Sequence, residues 1–286
     1  MENNFKNFSD GSKIPVEQNV YICQSSLSET KIYNGQIVIH STNFSKSYKG
    51  CIKIIINGNI QYPVLEYSLI ENCIFNENKG YDQTDSGTCI YLKIDNNINI
   101  NYKINIKKNL FSDNNSDNMA ASIYLTNAIP VIEGNQFINN FAFTYPDEIY
   151  FFTNKNCDFI VRDNKFIRTK AENSTSSLIM LYSSITFNFF FSDNLINITN
   201  TNDLYLFYMN SIKQLQSEIT ENCFVNYDKK YIMEYSHQSF IFNDDDFTSC
   251  TKFEATSTSE PIEPTSEPIE PTSEPIEPTS EPIEPT

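Results

Sequence analysis

Four acidic residues occupy one position of a recurring hexapeptide: Asp163, Asp193, Glu221 and Asp244, each followed by Asn or Asp. In earlier copies the same position reads Glu71, Lys108 and Gly134. If successive copies stack, neighbouring carboxylates lie about 5 Å apart, and those two copies apart about 10 Å. At an effective dielectric of about 20, neighbours repel by roughly 3 kcal/mol. That favours a bound cation or a raised pKa, and an all-oxygen cluster suits calcium. The spacing also brackets the separations used by paired-carboxylate glycosidases. The plainer reading is a row of acidic turn residues facing water, with Arg162 and Lys165 as counter-charges.

A second set is aromatic. The segments Ile90-Tyr91-Leu92, Ile123-Tyr124-Leu125, Ile149-Tyr150-Phe151, Ile179-Met180-Leu181 and Leu204-Tyr205-Leu206 repeat at a similar interval, and Ile232-Met233-Glu234 continues the series. With the flanking apolar residues inward, period-2 alternation turns Tyr91, Tyr124, Tyr150 and Tyr205 outward. The stripe would run for roughly 20–25 Å. Aromatic side chains suit sugar rings and protein partners, so these four are the candidate binding residues. A tyrosine ladder that only stabilises its sheet is the bland alternative.

Both sets depend on one repeat. The hexapeptide reads apolar, any, usually acidic, Asn, any, Phe or Ile. It recurs at Leu69–Ile74, Ile106–Phe111, Ile132–Phe137, Val161–Phe166, Phe191–Ile196, Ile219–Phe224 and Phe242–Phe247. Its Asn positions are 72, 109, 135, 164, 194 and 222, with Asp245 in the seventh, at separations of 37, 26, 29, 30, 28 and 23 residues. A period of that size marks a solenoid. Short β-branched and aromatic runs between Asn-, Asp- and Ser-rich turns mark strands. The expected fold is all-β: a right-handed parallel β-helix of about seven to eight coils. A leucine-rich horseshoe would need a Leu-x-x-Leu-x-Leu pattern, which is absent. Stacked Asn amides would form an internal ladder, with Ile, Leu and Phe columns filling the interior.

Residues 1–18 are expected to cap the helix or lie loose, 19–252 to form it, and 253–286 to be a disordered tail. Val20–Cys23, Gln36–His40 and Cys51–Ile56 read as strands of one or two less regular coils. The tail ends in four identical copies of Ser-Glu-Pro-Ile-Glu-Pro-Thr from Ser259. Such a segment has too few core formers to pack and favours extended polyproline character. The chain's net charge is −16, and it has only two arginines. It lacks the basic footprint of a nucleic-acid binder. No run is long enough for a membrane helix, and no signal peptide opens the chain. Because the chain closes on a heptad, a longer gene product with an anchor beyond the tail is expected. The seven cysteines show no metal spacing. Free thiols are expected, although Cys51 and Cys89 occupy equivalent positions of adjacent coils, within disulfide range.

The segments Phe75-Asn76-Glu77-Asn78, Phe111-Ser112-Asp113-Asn114 and Phe137-Ile138-Asn139-Asn140 read Phe-x-x-Asn. Ser86-Gly87-Thr88-Cys89-Ile90 and Ala120-Ala121-Ser122-Ile123 follow the first two. The pairing resembles the polymorphic outer membrane protein repeat, Phe-x-x-Asn followed by Gly-Gly-Ala-Ile. Similar β-helix repeats occur on the surfaces of parasitic protists. The resemblance implies a cell-surface or extracellular adhesion role, with no catalytic residues. Pectinolytic β-helix enzymes share the expected shape, and Arg168-Thr169-Lys170 resembles the Arg-x-Lys of polygalacturonases. Their Asn-Thr-Asp, paired-Asp and Gly-His-Gly segments have no match. The leading expectation is a non-catalytic β-helix binding a glycan or protein through one sheet face. The alternative is a lyase or hydrolase of acidic polysaccharide using the carboxylate column. No cofactor other than calcium is implied.

Overall fold

The computed structural model describes residues 18–24, 27–32, 37–47, 50–56, 68–80, 87–96, 101–144, 146–170, 176–199, 204–210, 215–226, 233–234 and 250. The tail and the seventh hexapeptide, with Asp244 and Asp245, lie outside them. The chain is a parallel β-solenoid, and every element among the described residues is a strand. No described helix is long and apolar enough to cross a membrane.

Each coil contributes in turn to three long sheets. Sheet I stacks Ile52–Ile56, Ile90–Ile94, Ile123–Thr126, Ile149–Thr153, Ser176–Ser183, Leu204–Asn210 and Met233–Glu234. Sheet II has seven strands, from Val38–His40 and Ser68–Glu71 to Leu215–Thr220. Sheet III also has seven, from Asn43–Ser45 to Cys223–Val225. A short fourth sheet holds Lys79–Gly80, Asn115–Ser116 and Phe141–Ala142. Successive coils pair parallel throughout, as a chain that winds in one sense requires. The exception is a hairpin at the N-terminal end. Gln18–Gln24 pairs antiparallel with both Leu27–Ile32 and Ile52–Ile56. Val20–Cys23 is thus a strand, but one that covers the edge of sheet I instead of belonging to a coil.

Alternation sorts the side chains. Within sheet I, Ile90, Leu92 and Ile94 are buried, while Tyr91 is half-buried and Lys93 exposed. In sheet III, Phe44, Phe75, Phe111, Phe137 and Phe166 form an internal ring stack with centroids 4.8–5.0 Å apart. That spacing is the inter-strand distance, so each coil contributes one ring per layer.

The Asn column turns the corner between sheets II and III from inside. Each carboxamide donates to the next Asn Oδ1: Asn109 to Asn135, Asn135 to Asn164, Asn164 to Asn194 and Asn194 to Asn222, at 3.0–3.1 Å. Each Oδ1 also accepts the backbone N–H of the preceding ladder residue, as Asn164 does from Asn135 at 2.9 Å. The column therefore satisfies the amides that the bend removes from the sheets.

The first copy of the repeat is displaced by one residue from the sequence reading. Ile74 pairs with Leu110 and Phe75 with Phe111, so Cys73 holds the ladder position and not Asn72. The Cys73 backbone N–H donates to Asn109 Oδ1 at 2.9 Å, and Cys73 Sγ faces the carbonyls of Glu71 and Ile39. Ile74, read as a core residue, is 42% exposed.

A second internal ladder follows the Phe-x-x-Asn motif. Asn78 donates to Asn114 and Asn114 to Asn140, at 2.9 and 2.8 Å. It turns the chain from sheet III into sheet IV. The small residues that follow have a backbone reason too. Gly87 and its counterpart Ala120 have φ of 76° and 52°. A Cβ on Gly87 would meet Tyr124 Cβ at 2.6 Å, so only glycine fits there.

Candidate functional site

The acidic column lies at the corner outside the first Asn ladder. Asp163, Asp193 and Glu221 precede the ladder residues Asn164, Asn194 and Asn222 in consecutive coils. All three have positive φ, between 55° and 56°. Asn72, Lys108 and Gly134 hold the same position in earlier coils, also with positive φ. This position is the left-handed residue of the bend, which favours Gly, Asn and Asp. Glu71 does not belong to the column. It ends its sheet II strand in register with His40 and Lys107. Among the described residues, no group of three or more His, Cys, Asp or Glu is placed to hold a metal ion.

Glu71 belongs instead to an alternating row of charges across sheet II, Glu71, Lys107, Glu133 and Arg162, with His40 in register before it. Glu133 accepts from Lys107 at 2.9 Å and from Arg162 at 3.1 Å. Burial alone would raise the Glu133 pKa, but the two cations outweigh it and hold the carboxyl below its usual value. Opposite charges in adjacent strands favour this register over a slipped one.

The tyrosine stripe forms, with one substitution. Tyr91, Tyr124 and Tyr150 are in register, followed by Met180, which is buried at 7% exposure and not turned outward, and then Tyr208. Tyr205 pairs with Ser177 and lies outside the column. The strand Leu204–Asn210 contains two apolar-Tyr-apolar triads three residues apart, and the stacked register selects the second. By the same register Glu234, and not Met233, continues the stripe.

The rings of Tyr91, Tyr124 and Tyr150 stack at 4.9 and 4.5 Å, within 11° of parallel. Lys53 Nζ sits 5.5 Å from the Tyr91 centroid, over its face at the end of the stack. Parallel rings at these distances cover part of each other's faces. Burial pushes the Tyr124 phenol pKa up, and burial with the neighbouring Tyr124 and Tyr182 pushes that of Tyr150 well up. Beside the stripe, Phe152 and Tyr182 form a second aromatic contact, with centroids 5.1 Å apart. Sheet I thus carries an aromatic pair beside the tyrosine stripe, in a register flanked by Thr126 and Asn210.

A third site is internal, and sequence reasoning missed it. Asp147, Glu148 and Arg168 are buried, at 0%, 2% and 5% exposure. Arg168 donates from Nη1 and Nη2 to Asp147 Oδ2 at 2.7 and 2.9 Å. Asp147 Oδ1 accepts the Ala142 backbone N–H at 2.9 Å. Glu148 Oε2 accepts Ser122 Oγ at 2.6 Å and Asn140 Nδ2 at 3.0 Å. Burial, outweighing Ser122 and Arg168 and reinforced by Asp147, raises the Glu148 pKa to about 8.

The cluster sits where the second Asn ladder stops and the fourth sheet ends. Phe166 has no Asn three residues later, and the strand Lys165–Arg168 runs on past the point where earlier coils bend. Asn140 therefore donates to Glu148 where its predecessors donate to another Asn. Buried in this cluster, Arg168 holds a structural position, unlike the substrate-facing arginine that its resemblance to Arg-x-Lys implies. The one sequence signal was the missing Asn after Phe166.

The cysteines are a fourth feature. Cys51, Cys73, Cys89 and Cys157 are buried free thiols, and Cys223 is bonded to Cys250 with Cα atoms 4.9 Å apart. The expectation of free thiols thus fails for that pair.

No protein-family profile, curated protein or solved structure matches the chain.

Proposed function

We propose that this β-solenoid is a non-catalytic binding protein that presents the outer face of sheet I to a glycan or protein partner. The observation that carries the reading is the register of Tyr91, Tyr124, Tyr150, Met180 and Tyr208 beside Phe152 and Tyr182. Parallel strands hold these residues at a fixed repeat, so little side-chain entropy remains to be lost on binding. Because the rings overlap, the stripe offers ring edges and phenol oxygens flanked by apolar surface. That suits a partner able to hydrogen-bond along a row as well as pack against it. The resemblance of the Phe-x-x-Asn segments to polymorphic outer membrane protein repeats supports a surface or adhesion role.

The test is a glycan array and a host-protein array probed with the wild-type chain and a Tyr124→Ala/Tyr150→Ala variant. Loss of a wild-type signal in the variant, with the far-UV spectrum unchanged, supports the face. Equal binding by both discards it. Tyr208→Ala should weaken binding and Tyr205→Ala should not, since only Tyr208 is in register.

A further inference from the structure

Two buried thiols near the N-terminal end of the solenoid are placed as a pair. Cys51 immediately precedes the strand Ile52–Ile56, and Cys89 precedes Ile90–Ile94. Those strands are paired with Ile52 opposite Ile90. The pairing extends back over the cysteines: Cys51 N–H donates to the Thr88 carbonyl and Ile52 N–H to the Cys89 carbonyl, both at 2.9 Å. Cys51 and Cys89 are therefore stacked residues of one column, and their side chains both point inward, at 2% and 0% exposure. Stacked residues of neighbouring strands have Cα atoms about 5 Å apart, inside the range a disulfide spans. The other free cysteines with described side chains differ. Cys73 faces backbone carbonyls and Cys157 faces Thr153.

We infer that Cys51 and Cys89 form a disulfide that staples the first sheet I strand of the coils to the second. The first coil stacks on another coil on one side only, its sheet I strand being covered on the other by the hairpin strand Gln18–Gln24. Cys223–Cys250 already ties the other end, across 27 residues. A Cys51–Cys89 bond would make the arrangement two-ended.

The chemistry is thiol–disulfide exchange with a small-molecule disulfide. One cysteine thiolate attacks the oxidant and forms a mixed disulfide, releasing one thiol. The second thiolate attacks the chain-side sulfur, closes Cys51–Cys89 and releases the other thiol. The chain loses two hydrogens and the oxidant's S–S bond becomes two thiols. Burial raises the Cys89 pKa and shuts out the oxidant. The bond therefore forms while the chain folds and is slow to form afterwards.

The full chain is refolded in a glutathione redox buffer, blocked with iodoacetamide and mapped by non-reducing peptide mass spectrometry. A linked peptide joining Cys51 to Cys89 as the major form is expected, and Cys51→Ser should abolish it and leave Cys89 alkylated. Hydrogen exchange over Ile52–Ile56 should quicken on reduction. Alkylation of both Cys51 and Cys89 as the major product, or linkage of either to another cysteine, overturns the inference. Glutathione disulfide added to the folded, reduced chain should give no such link over hours. Rapid linkage there overturns the folding-stage route.

Discussion

Both terminal nitrogens of Arg168 converge on one oxygen of Asp147, at 2.7 and 2.9 Å, inside the solenoid. The other oxygen of Asp147 takes a backbone N–H of Phe141–Ala142, the last strand of the fourth sheet. A charge pair here replaces an Asn ladder and closes off a sheet. Removing one partner leaves the other charged and buried. Asp147→Ala should destabilise by about 3–5 kcal/mol. The Asp147→Ala/Arg168→Met double variant should recover much of that loss. Urea denaturation of these two variants and of Arg168→Met measures the coupling, and additive losses would count against it.

Glu148 should make stability fall with rising pH. Its folded pKa is about 8, above the ordinary value of 4.5. A raised folded pKa gives stability that is full below pH 4.5 and is lost as pH rises through 8. The change corresponds to roughly 5 kcal/mol at most. The charged groups facing it are Asp147 and Arg168. Glu148→Gln can still accept from Ser122 and Asn140 but does not titrate, so its stability should be flatter over that window. Denaturation midpoints from pH 5 to 9 provide the comparison.

The Asn ladder should be costly to break in its middle. Asn164 accepts from the backbone N–H and Nδ2 of Asn135 and donates to Ile132, Arg162 and Asn194. Asn164→Ala strands buried donors of Asn135 and should cost roughly 3 kcal/mol or more. Chemical unfolding followed by circular dichroism reads this directly.

Cys73→Asn should do the opposite. The neighbouring coil already accommodates Asn at this position, where the Cys73 thiol now lies 3.3 and 3.8 Å from the Glu71 and Ile39 carbonyls. A carboxamide there extends the ladder by one coil and should add about 1 kcal/mol. A lower melting temperature for the variant would refute the assigned register.

Glu133→Gln should cost less than about 1 kcal/mol, because Lys107 and Arg162 lie at the surface, where water screens the pairs. The small loss should shrink further at high salt. Thermal melts in low and high salt test both points.

The sequence by itself determined the solenoid, the strands, and, from Asn109 onward, the inward Ile and Phe positions and the interior place of Asn. Those properties are local, since period-2 alternation and a repeated turn fix them one coil at a time. Register is not local. Around Cys73 the chain reads Leu-Ile-Glu-Asn-Cys-Ile-Phe, with apolar pairs on both sides, so either alternation satisfies the strand. Stacking of Phe75 between Phe44 and Phe111 decided it. The same holds for Tyr208 over Tyr205, which Leu204–Asn210 leaves equivalent until it pairs with Ser176–Ser183. Burial of charge is still less local. Asp147 and Glu148 resemble any acidic turn, and Arg168 any surface arginine, until the winding brings residues about 20 apart into one interior. Only the tertiary structure could choose among the acids, because an ionised group's cost depends on what surrounds it in space and not on its neighbours in the chain.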